Sequence, residues 1–483
     1  MSILLFIILI LITDPLWAED GKELYMKHCA SCHHSERYGL KAPPLLPETL
    51  KGHKREDIVK IIMDGMPATQ MPSYRVILKE EEIDKVTTYI TSPVENIRWN
   101  IEDILNSKQN TPPLLKGGLI DLENIILVVE SGNGITVMDG RDFKILDSFL
   151  VGTIHGGPKF SHSLSHVYTA TRDGMITKYD LRNLQVAGKV RSGINTRNIA
   201  VSHDDKFVAA GNYLPRNITI LDADLNPERI IGVDGKIGGV YTLYNEKKFI
   251  CSFRDKSELW LIDYNSDFNV EKLPLPEPFE DMAISPIENI IIGASRSGDG
   301  VYIYSINERK VLRSFPLEGM PHLSSAAFWL DSEGVPFVAI NHLKKPVVTI
   351  INLDKMSVIK EVKLPASGFF VRTHRDTPYI WADTNTDTMY IIDKENSKVI
   401  NTIVPAKGKK AMHTEFTMDG RYALVSVSED DGAVVIYDAY KLEEVKRIPF
   451  RKPAGKYNAF NKTFPWIHPS SKSEAGMRAL VNQ

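Results

Sequence analysis

The segment Cys29-Ala30-Ser31-Cys32-His33 carries the most specific chemistry in the chain. Two thiols three positions apart on a short helix can each bond one vinyl group of a single porphyrin. The histidine that follows then lies under the iron, and C-x-x-C-H is the spacing of covalent haem attachment. A redox dithiol and half of a zinc site are the rival readings. A zinc site needs a second Cys/His pair at ligand spacing, and His28 and His34 are poorly placed to supply one. The remaining cysteine, Cys251, sits in the strand-like KKFICSF and reads as a buried, inert thiol. Three cysteines with no spare pair do not make a disulfide-stapled protein.

A second axial ligand for such a haem has to come from downstream. The stretch GMPATQMPSYRVILKEEEIDKVTTYITS resembles the end of a class I cytochrome c, where a Met-Pro turn precedes an acidic helix start and a final amphipathic helix. That resemblance points to Met71, whose MPSY stands at the family's spacing before EEID; Met66 is the alternative. Met/His ligation raises the reduction potential and suits an electron acceptor. The chain opens MSILLFIILILITDPLWAED. Residues 3–12 are all apolar, too few to cross a bilayer, which takes about 20. A secretory signal cut after Ala18 is the better reading, although no Lys or Arg precedes the apolar run; an uncleaved tether is its rival. Export agrees with the haem reading, because covalent haem attachment happens outside the cytoplasm. Net charge is −3, from 58 basic and 61 acidic residues among 483. Nothing there suggests a nucleic-acid or membrane-surface partner, and the length calls for two or three domains.

The positioning elements follow from a repeat. After a polar, Pro-containing linker come GITVMD, MITKYD, NITILD, ELWLID, GVYIYS, VVTIIN, TMYIID and AVVIYD, ending at Asp139, Asp180, Asp222, Asp263, Ser305, Asn352, Asp393 and Asp438. Their steps are 41, 42, 41, 42, 47, 41 and 45 residues. Period-two alternation rich in Val, Ile and Tyr is a strand signal, and this spacing belongs to β-propellers with four strands per blade. The expected architecture is a small all-α cytochrome c domain (19–95) after a signal peptide (1–18), a linker (96–115), and an all-β eight-bladed propeller (116–483). In a propeller, residues of equal phase share a height around the axis. The next blade's innermost strand should begin some 15–20 residues after each marker. His155, Arg197, His322, Arg372 and His413 fall 16, 17, 17, 20 and 20 residues past theirs. Three histidines and two arginines from different blades are thus expected at one channel mouth. Histidines ligate iron or shuttle protons, and arginines clamp carboxylates. Such a mouth fits a second, carboxylate-rich haem.

Over the whole mature length the sequence resembles the cytochrome cd1 family, comprising cytochrome cd1 nitrite reductase and its relatives in haem d1 maturation. TIHGGPKFSHSLSHVYTATRDGMITKYDL resembles the segment carrying the proximal haem d1 ligand, at His155. EGMPHLSSAAFW resembles one carrying a distal-side histidine, at His322. KKAMHTEFTMDGRYALVSV and GKYNAFNK look most like the maturation branch, which includes an exported dihydro-haem d1 dehydrogenase with its own N-terminal c haem. The resemblance implies oxidation of one propionate of dihydro-haem d1 to an acrylate, with electrons leaving through the iron and the c haem. On this reading His413 is the base and Arg172, Arg197 and Arg372 hold peripheral carboxylates. Tyr457 adds a hydrogen bond near the substrate or simply packs. His162 and His166 read as structural or surface residues, and His342, His374 and His468 receive no role. One departure bears on the alternative of a nitrite reductase. LPLPEPFEDMAISP, where that enzyme has a second distal histidine, holds only Glu280 and Asp281, with Glu280 in the matching phase. A haem d1 carrier is the third, non-enzymatic reading. The implied partners are the haem d1 precursor, small electron-transfer proteins and nitrite reductase or other maturation proteins, in the periplasm.

Overall fold

Each marker residue is a hydrogen-bonding turn former, and the computed structural model shows what it does. The eight repeats are the third strands of eight antiparallel sheets, seven of four strands and one of five, and every marker is the last residue of its strand. Its side-chain oxygen accepts a backbone N–H two or three residues on, at 2.7–3.1 Å in all eight. The short side chain thereby caps the turn into the fourth strand, the mechanism that places Asp, Asn and Ser at such turns. The structure describes residues 16–464 apart from 67–68, 114–118, 132–133, 244–245, 287–288 and 296–299. It divides into two units, Met1–Arg98 and Trp99–Gln483.

The first unit is helical. Leu16–His28, Ala30–His33, Pro47–Leu50, Arg55–Asp64 and Glu80–Thr91 are its helices. The expected signal lies outside the described residues except for its last three, which begin the first helix. In Glu80–Thr91 the buried Ile83, Val86 and Ile90 recur at helical spacing and pack with Tyr25, Ile58, Ile62 and Leu78. Three glutamates lie in its first turn, where the helix dipole favours negative charge, and Glu82 Oε2 accepts the Lys79 N–H at 2.8 Å.

The second unit is the propeller. Within the residues expected as linker, Ile101–Asn106 form a helix whose Ile104 is fully buried, and Gln109–Asn110 pair with Gln185–Arg191 as an added outer strand. We number the blades in chain order. Blade 1 takes three strands from Ile125–Glu130, Gly134–Asp139 and Ile145–Phe149, and its innermost strand, Pro453–Asn458, from the other end of the chain. Blades 2 to 8 follow with innermost strands Lys159–Phe160, Asn195–Val201, Ile237–Thr242, Asp281–Ile284, Ala327–Leu330, Val371–Thr373 and Ala411–Phe416. Pairing the last strand with the first closes the ring, which leaves only the short edges of single blades. Among the described residues no helix is long and apolar enough to cross a membrane.

Apolar clusters join neighbouring blades. Between blades 7 and 8, Trp381, Met389 and Ile391 pack against Phe416, Val425 and Val435. Trp381 is fully buried, with its ring centroid 6.3 Å from that of Phe416 and 6.0 Å from that of Tyr437. Removing a buried aromatic side chain costs about 3–5 kcal/mol. Trp381→Ala is therefore expected to destabilise the propeller by about that amount, read as a lower urea midpoint at an unchanged slope.

Candidate active site

The inner strands surround an axial cavity of about 870 Å³. His155, Arg197, His322, Arg372, His413 and Tyr457 all line it. Residues from blades 1, 3, 7 and 8, and from the connections leading into blades 2 and 6, therefore meet in one space. Arg172 is not among the lining residues. It hydrogen-bonds Tyr213 beside Arg197 and Arg254, and burial lowers its pKa.

His155 stands just ahead of the inner strand of blade 2, with its backbone N–H on the Ala170 carbonyl. Its Nδ1 donates to the carbonyl of Arg197 at 2.6 Å. The Arg197 guanidinium lies against the same ring, its Nη1 2.6 Å from Nδ1 and 3.2 Å from Nε2; with the carbonyl accepting the Nδ1–H, the lone pair falls on Nε2. Burial, then Arg197 and Arg172, bring its pKa down to about 4, so the ring is neutral, the form a metal needs. Gly156 and Gly157 follow with φ of +86° and +71°; a Cβ on Gly157 would lie 2.9 Å from Tyr457 Oη. Glycine lets this turn press against the Tyr457 ring.

His322 precedes blade 6. Its Nδ1 donates to the Phe369 carbonyl at 2.7 Å, and its Nε2 accepts from the Ser324 hydroxyl at 3.0 Å. The backbone N–H groups of Leu323 and Ser324 donate to the two Asp281 oxygens, at 2.9 and 3.1 Å. The acid at the cavity is thus Asp281, and Glu280, singled out by its phase, is not among the lining residues. The inner strand of blade 5 starts at Asp281, 18 residues past Asp263, inside the expected window of 15–20 that holds Glu280 as well.

His413 differs from both. It is 1% exposed, and its Nε2 has no hydrogen-bond partner among the described residues. Its Nδ1 receives only a long contact from the Lys456 N–H, at 3.4 Å, too weak to lock a tautomer. Burial, then Arg372 and Lys456, hold its pKa well below the usual imidazole range. The Phe370 and Tyr457 rings flank it, with centroids 4.8 and 5.3 Å away. Arg372 donates through Nη1 to the Ser325 carbonyl at 2.8 Å. Behind His413 the fully buried Lys456 ammonium meets the His413 carbonyl and, at 2.6 Å, Ser426 Oγ.

Several lining residues escaped the sequence reading. Arg254 lines the cavity, with no partner for its Nε among the described residues. It follows Asp222 by 32 residues as Arg172 follows Asp139 by 33, so a second arginine phase was there to find. His162, read as structural or surface, also lines the cavity, against His203 at 5.2 Å between ring centroids. So does the buried His374. His342 is a satisfied core residue, between the Glu318 carbonyl (2.6 Å) and Thr349 Oγ1 (2.9 Å). His468 lies outside the described residues.

In the helical unit Cys29, Cys32 and His33 share one turn, and both thiols are free. His33 is 8% exposed and donates Nδ1–H to the Pro43 carbonyl at 2.8 Å, leaving Nε2 available to an iron. Met71 packs in the same cluster as Cys29, whereas Met66 is 47% exposed. These donors suit an axially ligated, covalently held haem.

Comparison with known proteins agrees with this geometry. Residues 120–462 match the family described as cytochrome D1 heme domain, and residues 17–90 match the cbb3-type cytochrome c oxidase subunit III family. The chain is 39% identical to the dihydro-heme d1 dehydrogenase of Pseudomonas aeruginosa, covering 92% of this chain and 94% of that one. It is 24% identical to a nitrite reductase of Stutzerimonas stutzeri, over 92% of each. A solved structure described as dihydro-heme d1 dehydrogenase NirN in complex with DHE superposes with a TM-score of 0.86 at 38% identity, covering 92% of this chain and all of that one. With both its cavity and its propeller sequence accounted for in this way, the chain belongs to the cytochrome d1 haem domain family.

Proposed function

We propose that the protein is a periplasmic dihydro-haem d1 dehydrogenase. It oxidises one propionate side chain of the haem d1 precursor to an acrylate. The observation that carries this reading is the meeting of His155, His322 and His413 in one cavity with Arg197, Arg372 and Tyr457, in a chain that aligns along nearly its whole length with a dihydro-heme d1 dehydrogenase.

The substrate side chain –CH2–CH2–COO⁻ loses one hydrogen from each carbon, releasing two electrons and two protons. Cys29, Cys32, His33 and Met71 would hold a c haem, which would supply a one-electron acceptor, with small electron-transfer proteins as the onward partners. His155 is the proximal ligand of the substrate iron and His322 the distal one. Both rings present Nε2 because Nδ1 is spent on a carbonyl, the arrangement that fixes a ligating imidazole. Arg197 and Arg372 bind peripheral carboxylates; Arg172, held by Tyr213 outside the cavity lining, adds positive charge nearby. Tyr457 hydrogen-bonds the reacting side chain. His413, neutral and with a free Nε2, takes the proton from carbon.

A nitrite reductase needs distal groups that hand protons to nitrite. Where that enzyme would carry a second distal histidine, both oxygens of Asp281 are occupied by backbone N–H groups. That carboxylate orients the His322 turn instead of standing free.

Dihydro-haem d1 mixed with the purified protein and an electron acceptor should acquire the acrylate absorption spectrum; binding without conversion would mean a carrier. General-base catalysis contributes about 10²–10⁴-fold, so His413→Ala should lower turnover by that order while the substrate still binds. A lowered pKa keeps the basic form of His413 present as pH falls. Thus kcat/KM, which reports the free enzyme's base, should stay flat down through about pH 6.5, the ordinary imidazole value, and decline only below it. A decline centred near that value would count against His413 as the base.

A further inference from the structure

We propose that Asp383 is a positioning residue for the dehydrogenation, a single buried carboxylate that sets both the distal ligand His322 and the base His413. The inference rests on the function proposed above.

Asp383 ends the second strand of blade 7, Tyr379–Asp383, and is fully buried. It is not among the residues lining the cavity, so any effect on the reaction passes through its neighbours. Those neighbours are all backbone donors. Oδ1 accepts from Phe369 N at 2.7 Å and Phe370 N at 3.2 Å; Oδ2 accepts from Phe370 N at 3.2 Å and His413 N at 3.2 Å.

Each donor leads directly to a site residue. The carbonyl of Phe369 accepts the His322 Nδ1–H at 2.7 Å and the Ser325 hydroxyl at 2.8 Å. The Phe370 ring lies between the two histidines, with centroids 6.2 Å from His322 and 4.8 Å from His413. His413 itself has φ of +49°, a left-handed conformation that is unfavourable for a non-glycine residue. It is held there from two sides, by Asp383 on its N–H and by the Lys456 ammonium on its carbonyl. The chain is built to come this close. A Cβ on Gly368 would stand 1.7 Å from the Asp383 carbonyl oxygen, so only glycine lets the Phe369–Phe370 turn lie against that strand.

A buried N–H left without an acceptor is costly. An amide in place of the carboxylate supplies one acceptor oxygen and turns an NH2 group toward N–H donors. With Asp383→Asn the Phe369 carbonyl and the His413 backbone shift together, so the iron's ligand field and the proton transfer change in one variant. A support of this kind is typically worth 10–100-fold.

The test compares wild type, Asp383→Asn, Gly368→Ala and, as a control for simple destabilisation, Trp381→Phe on the same strand. Each is loaded with dihydro-haem d1 and measured for kcat, KM and the ferric low-spin electron paramagnetic resonance signal. For Asp383→Asn, kcat should fall by about tenfold or more while KM stays within about threefold, with shifted low-spin g values or a new high-spin fraction. Trp381→Phe should lower the melting temperature but leave the signal unchanged. Should Asp383→Asn fail to fold, Gly368→Ala, which drives the same turn away from Asp383, should give the same kinetic and spectral change. An unaltered kcat and signal in whichever of these two variants folds would overturn the inference. A wild-type protein that binds dihydro-haem d1 without converting it would instead overturn the proposed function.

Discussion

Three imidazoles in this chain use one device: Nδ1–H is donated to a main-chain carbonyl, which puts the lone pair on Nε2; in His155 and His322 that nitrogen meets only a side-chain donor, Arg197 or Ser324. His33 does so on Pro43 at 2.8 Å, His155 on Arg197 at 2.6 Å and His322 on Phe369 at 2.7 Å. A carbonyl is an acceptor only, so each bond fixes both the tautomer and the ring plane before any metal arrives. His413 lacks this bond, which separates the residue proposed to move a proton from those proposed to hold iron. His342 makes the same Nδ1 contact, but its ring is fully buried and is not among the residues lining the cavity, so it is a packing residue. The division of labour thus rests on what each ring's second nitrogen can do.

In the propeller the carbonyls that do this work come from other blades, and a closed ring holds them there. Arg197 belongs to blade 3 and serves the histidine ahead of blade 2; Phe369 precedes blade 7 and serves the histidine ahead of blade 6. Neighbouring blades therefore grip one another through the site as well as through their apolar faces. The strand Pro453–Asn458 completes the circle, carrying Lys456 and Tyr457 to the side of His413. The eight turn-capping side chains at the ends of the third strands set the local geometry, and ring closure converts it into convergence at the axis.

Much of this was legible in the sequence because a propeller converts position in the repeat into position in space. The recurring Asp, Ser and Asn gave the blade count, since each caps a turn with its own side chain. Residues 16 to 20 positions beyond them, His155, Arg197, His322, Arg372 and His413, were legible for the same reason. What escaped depends on contacts without a fixed phase. Asp281 rather than Glu280 lines the cavity, and a phase window several residues wide does not choose between neighbours. Asp383 lies on a second strand and acts through backbone N–H groups, which leave no mark in side-chain composition. Lys456 looks like a surface lysine in GKYNAFNK, yet it is buried because the closing strand is innermost in its blade. Arg254 was recoverable, had the phase of Arg172 been followed around the ring.

The central claim is that imidazoles from separate blades hold one iron tetrapyrrole on the propeller axis. An experimental structure of this protein with dihydro-haem d1 tests it most directly. The account predicts the macrocycle inside the axial cavity, its iron bonded to Nε2 of His155 and of His322, with His413 beside one propionate. Iron bonded to other residues, or the tetrapyrrole seated outside that cavity, would contradict it.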